Sequence, residues 1–496
     1  MIDPISSFAI NFIAILGGIL LFIFIAGLIA ALIIYQIDKH QTQQTIRRNY
    51  PLFGRFRYLF EHIGEFFRQY FFAQDREEMP FNRAQRSWCY RAAKDVDNTI
   101  AFGSSRDLRI PGTYFFLNCP FPTLKEDAVK TQPFRIGPHC RQPYDAKSFF
   151  NVSGMSYGAL SKPAVLALAN GAREAGCWMN TGEGGLSPYH LEGGCDIVCQ
   201  VGTAKYGLRD EQGRLSDDQL REKAAYDQVK MFEIKLSQGA KPGKGGMLPA
   251  EKVCSDIARI RGIPEGEASI SPNRHPEIGS IDDLLDMIAH IREVTGKPVG
   301  FKMVIGSTDW LDDFCEAIIS RGIEHAPDFI TLDSSDGGTG AAPMPLMDSV
   351  GLPLRESLPA LVNKLIMHDL RDRIRIVASG KCINPTDVAA ALCLGADFCV
   401  SARGFMFALG CIQALQCNKN TCPTGITTHD KDLQRGLVPE DKAVRVMNYH
   451  NHLVNEVAMI AHSCGVSEPR KLKRKHAAIV IDSGRSVPLD ILYPEM

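Results

Sequence analysis

Three cysteines, Cys411, Cys417 and Cys422, fall in one short segment, CIQALQCNKNTCPTGI (411–426), spaced Cys-x5-Cys-x4-Cys. A thiolate is a metal ligand and a redox nucleophile, so clustered cysteines in a reducing compartment point to a metal or redox centre before a disulfide. Three thiolates fall one short of the four that 2Fe–2S and 4Fe–4S clusters take. Zinc with His429 as a fourth ligand is the inorganic rival, although structural zinc sites generally use tighter C-x2–4-C pairs. Packing is the third reading, since free cysteine behaves as a small apolar group, and most of the 15 cysteines, such as Cys177, Cys254, Cys315 and Cys393, fit that role.

A second set of chemistry-bearing residues is rich in glycine. MSYGA (155–159), NTGEGG (180–185), SQGAKPGKGG (237–246), DSSDGGTGA (333–341), SGK (379–381) and ARG (402–404) each follow or join a short apolar run. Glycine lets backbone N–H groups approach an anion, and a helix start behind it adds partial positive charge. One such tip would mean a turn, whereas six imply a shared pocket.

The elements that must carry these tips alternate. FFNVSGM (149–155), FEIKLSQ (232–238), PVGFKMV (298–304), FITLDSS (329–335), IRIVASG (374–380) and DFCVSA (397–402) read as buried strands. Residues 161–176, 280–296, 309–322 and 384–395 read as helices between them. The class is therefore α/β with a parallel sheet. An open doubly wound sheet needs a G-x-G-x-x-G fingerprint after its first strand, which GMSYGALSK (154–162) does not supply. A (β/α)8 TIM-type barrel places chemistry at the carboxyl ends of its strands, with phosphate after the last two.

On that geometry a flavin mononucleotide (FMN) fits. Its phosphate would lie at Ser379, Gly380, Ala402, Arg403 and Gly404, beside Gly337, Gly338 and Thr339. Lys302 would set its cation against the ring where reduction builds negative charge, unless it snorkels out at a strand end. Met155, Ser156 and Gln238 complete the cofactor-binding candidates. Gly154-Met155-Ser156-Tyr157-Gly158 also matches the G-x-S-x-G nucleophile elbow, but a serine hydrolase leaves the cysteines and the other tips unexplained.

Ahead of the strands, Ala9 to Tyr35 is uncharged and long enough to cross a bilayer as a helix. Lys39, Arg47, Arg48, Arg55 and Arg57 follow it, which predicts a single-pass anchor with its N-terminus outside and the catalytic domain cytoplasmic. The aromatic, arginine-rich stretch at 51–83 suits a helix at a lipid interface or one docked on the main domain. The expected layout is an anchor at 1–38, a juxtamembrane helix and wrapping lead-in at 39–145, the barrel with the cysteine motif at 146–430, and a C-terminal extension packing on it at 431–496. A net charge of −1 offers no field to attract nucleic acid.

The motifs MSYGALSKPA, NTGEGG, KLSQGAKPGKGG, DGGTGA and LGCIQALQCNKNTCPTGI resemble the FMN-binding synthase domain of glutamate synthases, over roughly residues 149–430. PFNRAQRSWCYRAAK (80–94) is similar to the lead-in of stand-alone, membrane-tethered members. The resemblance implies reduction of 2-iminoglutarate, formed from 2-oxoglutarate, to L-glutamate. It implies a 3Fe–4S cluster on Cys411, Cys417 and Cys422. It further implies that Lys241 contacts a substrate carboxylate and that Glu183 lies by flavin and substrate. There a carboxyl screened from water would have its pKa raised enough to donate a proton.

Two departures bear on the substrate. Met247 stands where the family typically has glutamine, and Leu186 ends a GEGGL that is GEGGE in many members. A related 2-oxo acid or another amine is thus the alternative, and a non-catalytic membrane electron-transfer flavoprotein is a third reading. The glutaminase domain that opens full-length glutamate synthases is replaced here by the apolar segment, so ammonia is expected from solution or from a separate amino-donor subunit. With no dinucleotide fingerprint, a ferredoxin-like electron donor is expected.

Overall fold

The computed structural model describes residues 4–482 and 484–495 in two compact units, 1–84 and 85–496. In the first, helix α1 (Pro4–His40) exposes Ile, Leu and Phe side chains along its length and is long and apolar enough to cross a membrane. Its end is pinned by Asp38, which takes Arg47 Nη2 at 2.7 Å and Arg55 Nε at 2.8 Å. Helix α2 (Gly54–Phe67) follows and presents Phe56, Leu59, Phe60, Phe66 and Phe67 to the outside.

In the second unit, among the described residues, eight parallel strands close a barrel. They are β1 (Phe150–Val152), β2 (Met179–Asn180), β3 (Ile197–Val201), β4 (Val229–Lys235), β5 (Val299–Val304), β6 (Phe329–Asp333), β7 (Arg375–Ser379) and β8 (Phe398–Ser401). The register aligns Asp333 with Ser379 and Lys302 with Lys235, and the ring closes with Ser401 beside Val152. Helices α3 (Lys162–Ala175), α4 (Pro188–Glu192), α5 (Asp217–Ala224), α6 (Ile281–Thr295), α7 (Trp310–Arg321), α8 (Leu354–Met367), α9 (Pro385–Cys393) and α10 (Arg403–Leu409) follow the strands in turn. Local signals set their ends. Ser161 accepts the Ala164 N–H to start α3, and Gly176, at φ 69°, stops it in a left-handed turn open to glycine at little cost.

Sequence periodicity located six of these strands but set one too late, since the 232–238 run pairs as 229–235. Leu236 and Ser237 instead aim their N–H groups at the Lys302 carbonyl as the chain leaves the ladder. Strands β2 and β3 were not anticipated. The first has only two residues, too few to show a period.

The lead-in seals the barrel's amino end. Its hairpin Phe134–Ile136/Tyr144–Ala146 places Ile136 and Tyr144 in one cluster with Trp178, Phe329 and Phe398. Another lead-in strand, Tyr114–Phe116, pairs antiparallel with Ala477–Asp482 near the C-terminus. Helix α11 (Pro439–Ser463) lies against α3, and its Tyr449 ring meets Phe150 at 5.9 Å. Both chain ends of the second unit thereby brace the barrel and leave its carboxyl end for the long loops.

Candidate active site at the carboxyl end of the barrel

At that end, Glu183 follows β2 on a short turn, Gly182–Gly184, and its carboxylate is reached by a lysine from another strand. Lys235, the last residue of β4, places Nζ 2.9 Å from Glu183 Oε2 and 2.7 Å from Gln238 Oε1. Lys241, on the loop after β4, is 5 % exposed, and no hydrogen bond to its ammonium occurs among the described residues. Burial works to raise the Glu183 carboxyl, but the Lys235 and Lys241 cations outweigh it and hold the group at about 2. This corrects the sequence expectation of a protonated carboxyl. Glu183 is an anion at neutral pH, because the fold brings two ammonium groups to it.

Across the mouth, Lys302 on β5 is buried and pairs with Asp333 at the end of β6, Nζ to Oδ2 3.2 Å. Burial pulls its pKa down, but the Asp333 and Glu233 anions reverse the direction, so the cation persists without snorkelling. Asp333 also accepts the Ser379 hydroxyl at 2.8 Å and the Gly239 N–H at 3.0 Å. It thereby ties three strand tips together. Deeper in the axis, Glu233 accepts from Asn180 at 2.8 Å, Gln200 at 2.7 Å and Thr331 at 2.5 Å. Glu233, Asn180 and Thr331 line a cavity that Gly154 and Lys302 also border.

The remaining expected residues fall on the same rim. Gln238 donates to the Gly338 carbonyl at 3.1 Å, and Arg403 donates to the Asp336 carbonyl at 3.0 Å. Gly380, at φ 139°, bends β7 away directly over Ser334, where a Cβ would collide. Ala402 precedes α10, and the Gly404 N–H donates to Ser401 Oγ at 3.3 Å. Met155 and Ser156 are buried beyond β1, with the Met155 N–H directed at the Asn180 carbonyl. Ser156 makes no hydrogen bond to a histidine among the described residues, and His190 holds Ser187 through Nδ1 at 2.7 Å. A hydrolase elbow needs that partner, so the G-x-S-x-G match is a turn.

The cysteine loop adjoins this rim. A Cβ built on Gly340, one residue past Thr339, would lie 3.7 Å from Cys417 Cβ. Tyr90 Oη donates to the Cys411 carbonyl at 2.6 Å, and Lys252 Nζ donates to the Cys417 carbonyl at 2.7 Å and the Thr427 carbonyl at 2.5 Å. Burial pushes the Cys411 thiol up to about 12 and raises Cys417. Burial raises Cys422 too, but hydrogen bonding with Thr424, whose Oγ1 lies 3.4 Å from the sulfur, helps to turn its direction downward. Among the described residues no three His, Cys, Asp or Glu side chains converge on a single metal ion. His429 donates through Nε2 to the Gly158 carbonyl at 2.8 Å, which leaves Nδ1 as the ring nitrogen that could ligate a metal. A cluster differs from a single ion in that its thiolates bind separate irons and stand apart by the width of the inorganic core.

Sequence reasoning missed Lys235, Glu233, Asp333 and Lys252. A signal existed for Lys235, which ends an apolar run in FEIK much as Lys302 does in GFK. Lys252, beyond the loop in MLPAEK, had none.

The family described as the conserved region in glutamate synthase matches residues 123–467. A glutamate synthase large subunit-like protein, YerD, of Bacillus subtilis is 39% identical, covering 96% of this chain and 98% of the relative. An archaeal glutamate synthase [NADPH] of Methanocaldococcus jannaschii is 36% identical over 65% of this chain, and the match spans 60% of that relative's length. A flavocytochrome b2 mutant with pyruvate bound superposes with a TM-score of 0.46 at 17% identity, covering 83% of this chain and 87% of the other. The expected ferredoxin-type donor gains no support from the archaeal relative, whose name carries NADPH. With its motifs on the rim of one barrel and the family match extending over most of its length, this chain belongs to the glutamate synthase family.

Proposed function

We propose that the chain is an FMN- and iron–sulfur-dependent oxidoreductase that forms L-glutamate by reducing the imine of 2-oxoglutarate. The observation that carries this reading is the anionic Glu183 between Lys235 and Lys241 at the barrel mouth. Lys241, buried near Glu183 but making no hydrogen bond through its ammonium among the described residues, is placed to take a substrate carboxylate as a compact cation. The Glu183 carboxylate favours the protonated imine, whose carbon is the more electrophilic for its positive charge. Lys235 holds that carboxylate in place and is the proton-bearing group against it.

The residues fit a flavin mononucleotide by their donor set. Arg403 and Lys381 supply cations beside the glycines of the β6, β7 and β8 tips, and Lys302 supplies one across the mouth. When bound, the flavin supplies hydride. The three thiols of one loop, set beside Gly340, suit a 3Fe–4S cluster that delivers single electrons. Helix α1 anchors the chain in a membrane, and α2 lies on the lipid surface. Ammonia comes from solution or from a separate amino-donor subunit.

A related 2-oxo acid is the second reading, favoured by Met247, which is 53% exposed one residue past Gly246, where a Cβ would meet the Glu183 carboxylate. The test is a steady-state assay with ammonium, a panel of 2-oxo acids and either reduced ferredoxin or NADPH. Glutamate from 2-oxoglutarate is the expected product. No amino acid from any acid with either donor would refute the enzyme reading.

A further inference from the structure

Lys252 is among the most deeply buried large side chains of the molecule, 2% exposed, and it carries a charge that no carboxylate among the described residues neutralises. Of the other buried lysines of the mouth, Lys235 rests on Glu183 and Lys302 on Asp333, while Lys241 makes no ion pair among the described residues but has the Glu183 anion near it. Among the described residues the Lys252 ammonium donates only to backbone carbonyls, that of Cys417, the second cysteine of the loop, and that of Thr427, five residues past the third. Asn420 adds a bond from that loop to the Glu251 carbonyl at 3.3 Å. A buried cation held by neutral dipoles alone is unfavourable unless an anion lies close by. The Cys417 and Thr427 carbonyls place the ammonium against the stretch of chain that carries Cys417 and Cys422.

We infer that Lys252 is the buried counter-cation of the iron–sulfur cluster seated on Cys411, Cys417 and Cys422, and that it raises the cluster's reduction potential while clamping the loop. Thiolates and inorganic sulfides together outweigh the charge of the irons, so such a cluster is an anion, and reduction makes it more so. A fixed positive charge beside it favours the reduced form, because net charge and hydrogen bonding set cluster potentials. Lys252 is thus a positioning residue that acts through the cluster. This role rests on the cofactor reading above.

The test uses the full chain, purified anaerobically in detergent, as wild type, Lys252→Gln, Lys252→Met and Lys252→Arg. Glutamine retains an N–H donor without the charge, methionine removes both, and arginine keeps the charge. Iron and sulfide per chain, flavin content and an EPR-monitored redox titration are read for each. The neutral variants are expected either to shift the cluster midpoint to a more negative potential or to lose iron while keeping flavin, with arginine closer to wild type. Neutral variants with wild-type iron and wild-type midpoint would overturn this role alone. Neutral variants that lose iron, flavin and the folded state together would mark Lys252 as a folding residue and overturn it too. Wild-type protein without a cluster signal would overturn the cofactor reading and this role with it.

Discussion

Lys235 Nζ and Glu183 Oε2 stand 2.9 Å apart at the barrel mouth, joining the ends of two strands that β3 separates. Because the Glu183 pKa is held at about 2 in the folded chain against an ordinary 4.5, its stabilisation is full above pH 4.5 and is lost as pH falls towards 2. Glu183→Gln should therefore flatten the acid limb of stability, removing roughly 2–3 kcal/mol at neutral pH. Chemical denaturation at neutral and acid pH measures it. Equal acid sensitivity in parent and variant would refute an ionised Glu183.

Removing the Lys241 ammonium should weaken oxo-acid binding without emptying the flavin site. For Lys241→Ala the expected KM rises by about 10–100-fold, corresponding to a charge-assisted hydrogen bond of ~1.5–3 kcal/mol. Flavin absorbance serves as the control. An unchanged KM would dismiss the carboxylate role.

Asp333 gathers Lys302, Ser379 and the Gly239 N–H, so Asp333→Asn leaves a buried ammonium short of its anion. The expected loss is about 3 kcal/mol, at the lower end for breaking a buried pair because Glu233 remains near. A denaturant midpoint equal to the parent's would contradict this.

Cys417→Ser should abolish the paramagnetic signal of an oxidised 3Fe–4S centre while flavin stays largely bound. Low-temperature EPR and absorption spectra measure the two separately. Parallel loss of both would indicate a collapsed loop, and an intact signal would remove Cys417 from the ligand set.

On α2, Phe60 is 63% exposed beside Phe56, their rings 6.5 Å apart. In proteoliposomes, Phe60→Trp should add a blue-shifted emission, quenched by brominated lipid, to the signal of the three native tryptophans. An added component at the wavelength of exposed tryptophan would place α2 in water.

Much was legible along the chain because it is encoded locally. Apolar runs and their capped helices announce an alternating α/β chain, as Ser161 and Gly176 do for α3. Glycine tips such as Gly337-Gly338 and Ser379-Gly380 mark the tight turns of the barrel's rim, and Ala9 to Tyr35 announces a helix long and apolar enough to cross a membrane. The three-cysteine spacing and the long motifs of the mouth were enough to indicate the family.

The sequence by itself thus determined the class of fold, the order of the elements and the types of residue gathered at strand ends. Only the tertiary structure decided their charge states and partners. Strand β2, two residues long, exists because barrel closure needs a neighbour for both Val152 and Ile197. Glu183 is an anion because closure brings Lys235 to it across 52 positions of sequence. Lys252 meets the cysteine loop across 165. Hydrophobic periodicity acts over a few residues, whereas electrostatic and desolvation terms depend on separation in space, and the spatial neighbours of a charge are set only when the barrel closes.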